Sequence, residues 1–580
     1  MLPWIALALT FSLPDSSGHI HSSDALPRSK ATVFVFLAPQ CPLSRAVIPE
    51  LRDLHRRFSS RGIGFFTVNG HLPSGFPDLA DPTHSIARQL EASITPQAVV
   101  VSGRGEILYT GRVDDRAESL TRTRPAPTRR DLRLALEQVL AGADPDPKRT
   151  RAVGCTIEFP APASDSAPTY SRQIAPILHR HCVECHRPGQ SGPFSLLRYQ
   201  DAAARASTIA RVASARLMPP WLPAPNADHP FAGRRALTGE EIRLLEQWAA
   251  GGAPRGDSAL EPPPPPPPAQ WPLGPPDAIL RPTAPIPIAG AGPDQYLCFV
   301  VAAPLNGTRY VRAFDFRPGS SALHHALLFL DSTQAARRRD AEHAGAGYPC
   351  FGTPGFLPSA SLGGWTPGNT ALAYPAGAAV RFRSGADLVM QIHIHPDGAM
   401  PSSTAMPEIA LYFQDEPPAR RMMDVALGSR RIDIAPGESG YIVRDHFTIP
   451  VALEVTGIIP HAHFLAQTMR GWATLPDGSR VELIDIPQWN FNWQQQYRYA
   501  EPFVLPAETR IEMEFVYDNS AANPQNPFSP PQRVQWGPDS TDEMAGLHVQ
   551  VMPLDDEDAE ELARYLWGRL MRERWGSLER

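Results

Sequence analysis

Apolar and polar positions alternate differently along the chain and divide it into segments. The run ATVFVFLA (31–38) is almost wholly apolar, which suits a strand covered on both faces. From Ser44 to Phe58, the residues Val47, Ile48, Leu51 and Leu54 fall at helical spacing. GIGFFTVNG (62–70) reads as a second strand, and 94–113 as two strands about a Gly-containing hairpin turn. This pattern predicts an α/β domain over 29–150, charged and partly helical from 116 onward. Residues 165–256 read as a small α-helical domain. Residues 285–553 show short β-type runs, frequent Pro/Gly turns and almost no helical period. They predict two tandem all-β sandwich domains, 285–415 and 416–553, with a seam at EPPAR (416–420). The tail, 554–580, predicts an amphipathic helix over 555–576, acidic first and basic last, as a helix dipole prefers.

Composition sharpens this picture. At 580 residues the chain exceeds one hydrophobic core, so several domains are expected. A net charge of −6 gives no electrostatic case for nucleic acid or for a membrane surface. Proline is the outlier at 65 residues, which favours long connections and β-rich domains over a helical bundle. Pro262 to Pro268 are consecutive prolines within the linker 257–284; they predict a semi-rigid polyproline spacer outside any core. The run PWIALALTFSL (3–13) is too short to span a bilayer. Residues 1–28 are expected to be a signal peptide or an N-terminal tail. Ser16, Ser17 and Gly18 stand near a cleavage point, but no Lys or Arg precedes the run; a frayed terminus or a buried strand is the other reading. No later stretch predicts a transmembrane helix.

Cys182-Val183-Glu184-Cys185-His186 is the C-x-x-C-H pattern of c-type haem attachment. Two thiols one helical turn apart can each form a thioether to a haem vinyl group, and the next histidine then falls beneath the iron. A zinc half-site or a redox dithiol would use the same letters, but zinc needs a second ligand pair, and only His179 and His181 stand near. The stretches 174–196, RLMPPW (216–221) and 237–257 resemble the small cytochrome c domains of multidomain bacterial oxidoreductases. That resemblance implies one covalently attached haem c on Cys182 and Cys185, with His186 proximal and Met218 as the sixth ligand, a thioether that suits electron transfer. His179, His181 and His229 are the competing ligands, and a core methionine is the other reading of Met218.

A histidine and methionine set runs through the β-rich region: His324-His325 in SALHHALLFL, His393 in LVMQIHIHPDG with His395 two residues on, His461 and His463 in IIPHAHFLAQ, and Met544 in STDEMAGLHVQV. Residues i and i+2 of a strand share a face, so His461-x-His463 is a ready two-imidazole site. Adjacent histidines point oppositely on a regular strand and reach one ion only at a bulge or a strand end. Imidazoles with a thioether select copper over magnesium or calcium. In order and flanks, residues 290–553 resemble the type II copper, ascorbate-dependent monooxygenases, the family of dopamine β-monooxygenase and the peptidylglycine hydroxylating enzyme. The resemblance implies two jelly-roll-type β domains with one copper each. His324, His325 and His393 (or His395 in its place) would hold the electron-storing copper, and His461, His463 and Met544 the copper that binds dioxygen. It also implies a Cys298–Cys350 disulfide, against a bland reading of two core thiols. The likeness stops at the substrate. Ile459 stands where the peptide-hydroxylating enzyme has an arginine for the substrate carboxylate, and His548 where it has a tyrosine. Trp489, Trp493 and Tyr497 are candidates for an apolar pocket or for core. His343, His446 and His548 are expected to be structural.

Residues 34–58 with Thr95-Pro96 resemble the thioredoxin-like redoxins, which would make Cys41 the reactive thiol and Pro96 a cis-proline facing it. Ser44 replaces the second cysteine of the motif, and Ala38 stands where peroxiredoxins place a threonine. Cys155 is the remaining cysteine that could pair with Cys41; a degenerate docking module is the alternative. The combined expectation is a periplasmic or secreted copper monooxygenase. It would hydroxylate a C–H bond of a small organic substrate with O2, drawing electrons from an external donor through its own haem. A copper-binding or electron-transfer protein without hydroxylase activity is the alternative.

Overall fold

The computed structural model describes residues 9–124, 126–159, 168–188, 190, 192–267, 269–289, 294–320, 322–366, 371–394 and 403–575. The chain divides into two compact units. The first is Met1–Trp221 with Arg235–Pro266 and Pro527–Pro530; the second is Leu222–Arg234 with Pro267–Asn526 and Pro531–Arg580.

The first unit opens with a five-stranded sheet in the order Asp78–Leu79, Ile63–Val68, Ala31–Phe36, Gln97–Ser102, Ile107–Gly111. Ala31–Phe36 runs parallel to Ile63–Val68 and antiparallel to Gln97–Ser102. All six of its residues are buried, which is why its sequence does not alternate. Helices Ile48–Phe58 and Asp131–Leu140 cover one face through Leu51, Leu54, Leu132 and Leu136. The other face packs Phe34, Phe36, Val99 and Val101 against Ile86, Leu90, Leu9, Phe11 and Leu26. This three-layer arrangement is thioredoxin-like. Two expectations change here. The helix expected from Ser44 is two, Pro42–Ala46 and Ile48–Phe58, because Pro49 can occupy only the first turn of a new helix. Leu9, Phe11 and Leu26 belong to the core, so 9–28 is not a loose tail; residues 1–8 lie outside the described residues.

A helical module follows within the same unit. Ala175–His181, Tyr199–Ala203, Ala206–Ser214 and Gly239–Ala250 enclose Tyr170, Leu178, Val183, Ile209, Leu245 and Trp248. Gly239–Ala250 begins with a capping box: Thr238 Oγ1 accepts from the Glu241 amide, and Glu241 accepts from the Thr238 amide. The polyproline segment is not a free spacer at its start. The Arg187 guanidinium donates to the Pro265 and Pro266 carbonyls, at 3.0 and 2.9 Å. Proline lacks an N–H, but its carbonyl remains a full acceptor. Pro268 lies outside the described residues.

The second unit holds the β-rich region. Its first part packs two five-stranded sheets through a shared core that includes Phe299, Leu328 and Met390 from one sheet and Val311, Phe314 and Leu411 from the other. Its second part has two four-stranded sheets. One runs Met423–Gly428, Gly546–Pro553, Leu453–His461, Tyr497–Leu505, and the other Ser439–Thr448, Arg510–Asp518, Ala466–Thr474, Arg480–Ile486. The tail forms the helix Asp556–Trp575, with 576–580 outside the described residues. One boundary differs from the sequence reading of 165–256 as a single domain. Leu222–Arg234 belongs to the second unit: Ala224 and Ala232 donate main-chain bonds to Asp485 and Arg498, and His229 stacks on Phe503 at 3.7 Å. Among the described residues, no helix is long and apolar enough to cross a membrane.

Candidate functional site

The antiparallel register of the first β part brings His325 and His393 together. Strand Leu323–Asp331 pairs with Asp387–Ile394, Leu323 opposite Ile394 and His325 opposite His393. His324 is therefore the extra residue of a bulge, the irregularity that neighbouring histidines need in order to serve one point. The His324 side chain and the whole of His395 lie outside the described atoms. His393 Nδ1 stands 3.3 Å from His325 Nδ1, while His393 Nε2 meets Asp294 Oδ2 at 3.0 Å. A neutral imidazole has one N–H, so the carboxylate favours that proton on Nε2 and turns the unprotonated Nδ1 toward His325. Two nitrogens about 2.0–2.1 Å from one ion, at roughly a tetrahedral angle, stand about 3.3 Å apart. Tyr296, opposite His393 on the next strand, stacks on its ring at 4.3 Å, and Ser540 donates to Asp294.

His461 ends strand Leu453–His461, and His463 follows it, their ring centres 5.3 Å apart. His461 Nδ1 meets Gln494 Oε1 at 2.6 Å, and His463 Nδ1 meets the Asp542 carbonyl at 3.1 Å. Both rings therefore carry their proton on Nδ1 and keep Nε2 as a bare donor. Burial lowers the proton affinity of both. His463 is held down to about 3, with His461 and then His393 adding to the effect, and His393 also bears on His461. Neutral imidazole is the form a metal ion requires. The main chain at Met544 is tied to that at His463. Glu543, fully buried, accepts from the amides of His463, Leu465 and Met544 at 3.0, 2.6 and 3.0 Å. Burial pushes this carboxyl up to about 8, opposed by those amide bonds. Trp489 donates to the His463 carbonyl from a fully buried position, and Tyr497 is equally buried, so these two are core rather than pocket wall. Trp493 is half-buried, with its Nε1 on Gln495. His548 faces Ile459 in register and is exposed. His343 Nδ1 meets its own helix at the Arg339 carbonyl, and the His446 carbonyl accepts from Arg569.

Among the described residues, no three His, Cys, Asp or Glu side chains gather about one point. What converges is a pair of imidazoles at each place; the further donors in the expected sets are the undescribed His324 side chain and a thioether. Cys298 and Cys350 form a disulfide beside the first set, Cys298 lying opposite Gln391.

In the helical module, Cys182 closes the helix Ala175–His181, and the His186 amide bonds back to the Cys182 carbonyl. His186 Nδ1 meets the Phe194 carbonyl at 3.2 Å, which leaves Nε2 bare, and burial lowers its proton affinity. Met218 lies four residues beyond Ala206–Ser214 and is half-buried. Of the competing ligands, His181 is held by Glu241 at 3.0 Å, and His229 belongs to the second unit. His179 stays half-buried, with burial lowering its proton affinity. The redoxin thiol Cys41 is buried beside the cis Thr95–Pro96 peptide, 3.1 Å from the Thr95 carbonyl, and Cys155 Sγ lies 2.8 Å from Cys41 Sγ.

Asp294, Gln494, Asp542 and Glu543 have no counterpart in the sequence reading. Glu543 adjoins Met544 and could have been suspected. The others reach their histidines only through the strand register.

No protein-family model matches the chain, and no curated protein matches it. Solved structures similar to part of it include a hypothetical protein of Sinorhizobium meliloti 1021, 25% identical, covering 27% of this chain and 93% of that one at a TM-score of 0.24. An uncharacterized conserved protein of Geobacillus kaustophilus is 24% identical over 27% and 92%, TM-score 0.24. A secreted disulfide oxidoreductase of Mycobacterium tuberculosis, homologous to E. coli DsbE, is 20% identical over 17% and 79%, TM-score 0.15. Likenesses of this extent leave the thioredoxin-like character of the first domain resting on its sheet order and its thiol geometry.

Proposed function

We propose that the protein is a copper-dependent monooxygenase that acts on a C–H bond of a small organic substrate and carries its own c-type haem. The observation that carries this reading is common to both histidine pairs. Oxygen acceptors hold one ring nitrogen of His393, His461 and His463, as the partners of metal-binding imidazoles do. His325 and His393, with His324, would hold one copper; His461 and His463, with Met544, the other. Copper in these places would supply one-electron chemistry with dioxygen, and haem c on Cys182, Cys185, His186 and Met218 a one-electron store. The chain's own groups do the positioning. Asp294 fixes the His393 tautomer, Gln494 and Asp542 hold the second pair, and Glu543 joins Met544 to His463. Ile459 offers no charge to a substrate carboxylate, which favours a substrate other than a peptidyl-glycine. The Cys298–Cys350 disulfide supports an oxidising compartment, periplasmic or secreted.

The test is metal and haem content of full-length protein exported with haem-ligation machinery, by elemental analysis and pyridine haemochrome. The expected result is one haem and two coppers per chain, with His463→Ala losing one copper and all oxygen uptake coupled to product. Haem without copper would overturn the reading. Both coppers without any product-coupled oxygen uptake would favour a copper-binding electron-transfer protein instead.

A further inference from the structure

The two thiols that no copper or haem uses are built into one place. Cys155 belongs to the short strand Cys155–Thr156, which pairs antiparallel with Ile94–Thr95, Thr95 opposite Cys155. Thr95 Oγ1 donates to the Cys155 carbonyl at 3.2 Å, and the Ile157 amide to the Ser93 carbonyl at 2.8 Å. On the other side, the Thr156 amide donates to Thr208 Oγ1, and Arg211 donates to the Gly154 carbonyl. Gly154 is required for this approach: a Cβ there would sit 2.0 Å from the Thr95 carbonyl oxygen. The segment is thus clamped between the short strand Ile94–Thr95 and the helix Ala206–Ser214. The clamp holds two sulfurs, 114 residues apart in sequence, at 2.8 Å. A disulfide, at about 2.05 Å, needs less than about 1 Å of further approach.

The two sulfurs differ. Cys41 is 2% exposed, whereas Cys155 is half-buried, and both line a cavity of about 580 Å³ with Asn69, Glu158, Asp201 and Arg205. That volume lies within the small-molecule range of about 300–1,000 Å³. The Ile94–Thr95 edge is already taken by the chain's own strand, so an extended polypeptide cannot pair there. The Cys155 thiol beside it, helped by the Ser44 amide and hydroxyl, holds Cys41 down to about 6 against its burial. Cys41 and burial push Cys155 the other way. In thiol exchange, the accessible sulfur is attacked, and the thiol that ionises more readily leaves.

We propose that Cys41 and Cys155 form a reversible dithiol–disulfide couple that exchanges with small-molecule thiols, Cys155 being the sulfur of entry and Cys41 the sulfur that leaves and returns. In the reducing direction, an external thiolate attacks Cys155 Sγ. The Cys155–Cys41 bond breaks, its electron pair goes to Cys41 as thiolate, and a mixed disulfide remains on Cys155. A second thiolate attacks the external sulfur of that mixed disulfide. It releases Cys155, which takes a proton from water, and the small molecule departs as its disulfide. Two electrons enter the pair, and two thiols leave as one disulfide; the oxidising direction is the reverse.

The experiment uses the full-length protein in buffers of reduced and oxidised glutathione, quenched with iodoacetamide and read by peptide mass spectrometry. The expected result is a linked Cys41–Cys155 peptide pair in oxidised buffer that opens in reduced buffer, while Cys298–Cys350 stays closed. Each variant removes the thiol contact that sets the two sulfurs apart, so exposure decides: Cys41→Ser should accumulate glutathione on half-buried Cys155 faster than Cys155→Ser accumulates it on buried Cys41. Absence of the linked pair in every buffer, or glutathione entering only at Cys41, would overturn the proposal. The parent protein gives the first readout even where a variant fails to fold.

Discussion

Glu543 shows what single residues do here. Its carboxyl accepts from both the His463 amide and the Met544 amide. Glu543→Gln replaces an acceptor oxygen by a donor amide and leaves at least one buried N–H unpaired. We expect a loss of about 1–3 kcal/mol in urea unfolding, read by tryptophan fluorescence. The pH dependence has a definite sign. Burial raises Glu543 from 4.5 to about 8, so its contribution to stability is full below about 4.5 and lost as pH rises through 8. His463 is lowered from 6.5 to about 3, so its contribution is full above about 6.5 and lost as pH falls toward 3. In metal-free protein the two slopes cancel between about pH 4.5 and 6.5, and stability declines on either side. Glu543→Gln should abolish the decline between about pH 6.5 and 8; an unchanged decline would assign it to another group. The two histidine pairs were legible in the sequence because residue type and strand spacing bring such rings together. Their partners were not. Asp294 lies 99 residues from His393, and Gln494 lies 33 from His461, and only the folded register joins them.

Among elements, periodicity told most where one pattern dominated. The buried run at Ala31–Phe36, the hairpin of Gln97–Ser102 with Ile107–Gly111 and the tail helix Asp556–Trp575 stand close to where the pattern puts them. It failed where one residue changes an element. Pro49 splits a helical stretch without disturbing its apolar spacing, and the bulge at His324 adds one residue that leaves the strand signal intact. Helix Gly239–Ala250 tests the local reasoning. Its capping box is visible in the letters LTGEE, and Glu241 also pairs with His181 at the end of the Cys182 helix. Thr238→Ala removes one side-chain acceptor and should cost about 1 kcal/mol. Amide hydrogen exchange in Gly239–Ala250 should then quicken about fivefold, with the second unit unaffected. An unchanged rate would mean that the helix opens only with the whole unit.

At the scale of the whole molecule, composition revealed the linker but not the strap. The prolines at 262–268 span the point, Pro267, where the second unit resumes. Pro223, Pro225, Pro230 and Gly233 mark Leu222–Arg234 as non-helical, but its composition does not say which unit it joins. Its membership in the second unit comes from hydrogen bonds and ring packing. Asn226 donates to the Glu482 carbonyl, the Ala500 amide to Pro230, and Phe231 bridges Tyr499 with its ring stacked at 5.0 Å. The chain therefore enters the second unit at Leu222, leaves it after Arg234, returns at Pro267, and gives Pro527–Pro530 back to the first unit. Cutting that segment alone should not free the halves, because the amino-terminal fragment still carries a piece of the second unit's fold. A protease site inserted between Ala269 and Gln270 tests this. After cleavage, the two fragments should co-elute in native size-exclusion chromatography. The His229→Ala, Phe231→Ala double variant removes the stacking on Phe503 and Tyr499 and should let them separate. Two peaks from the cleaved parent would show that the strap does not hold. Co-elution of the cleaved double variant would assign the association to other residues.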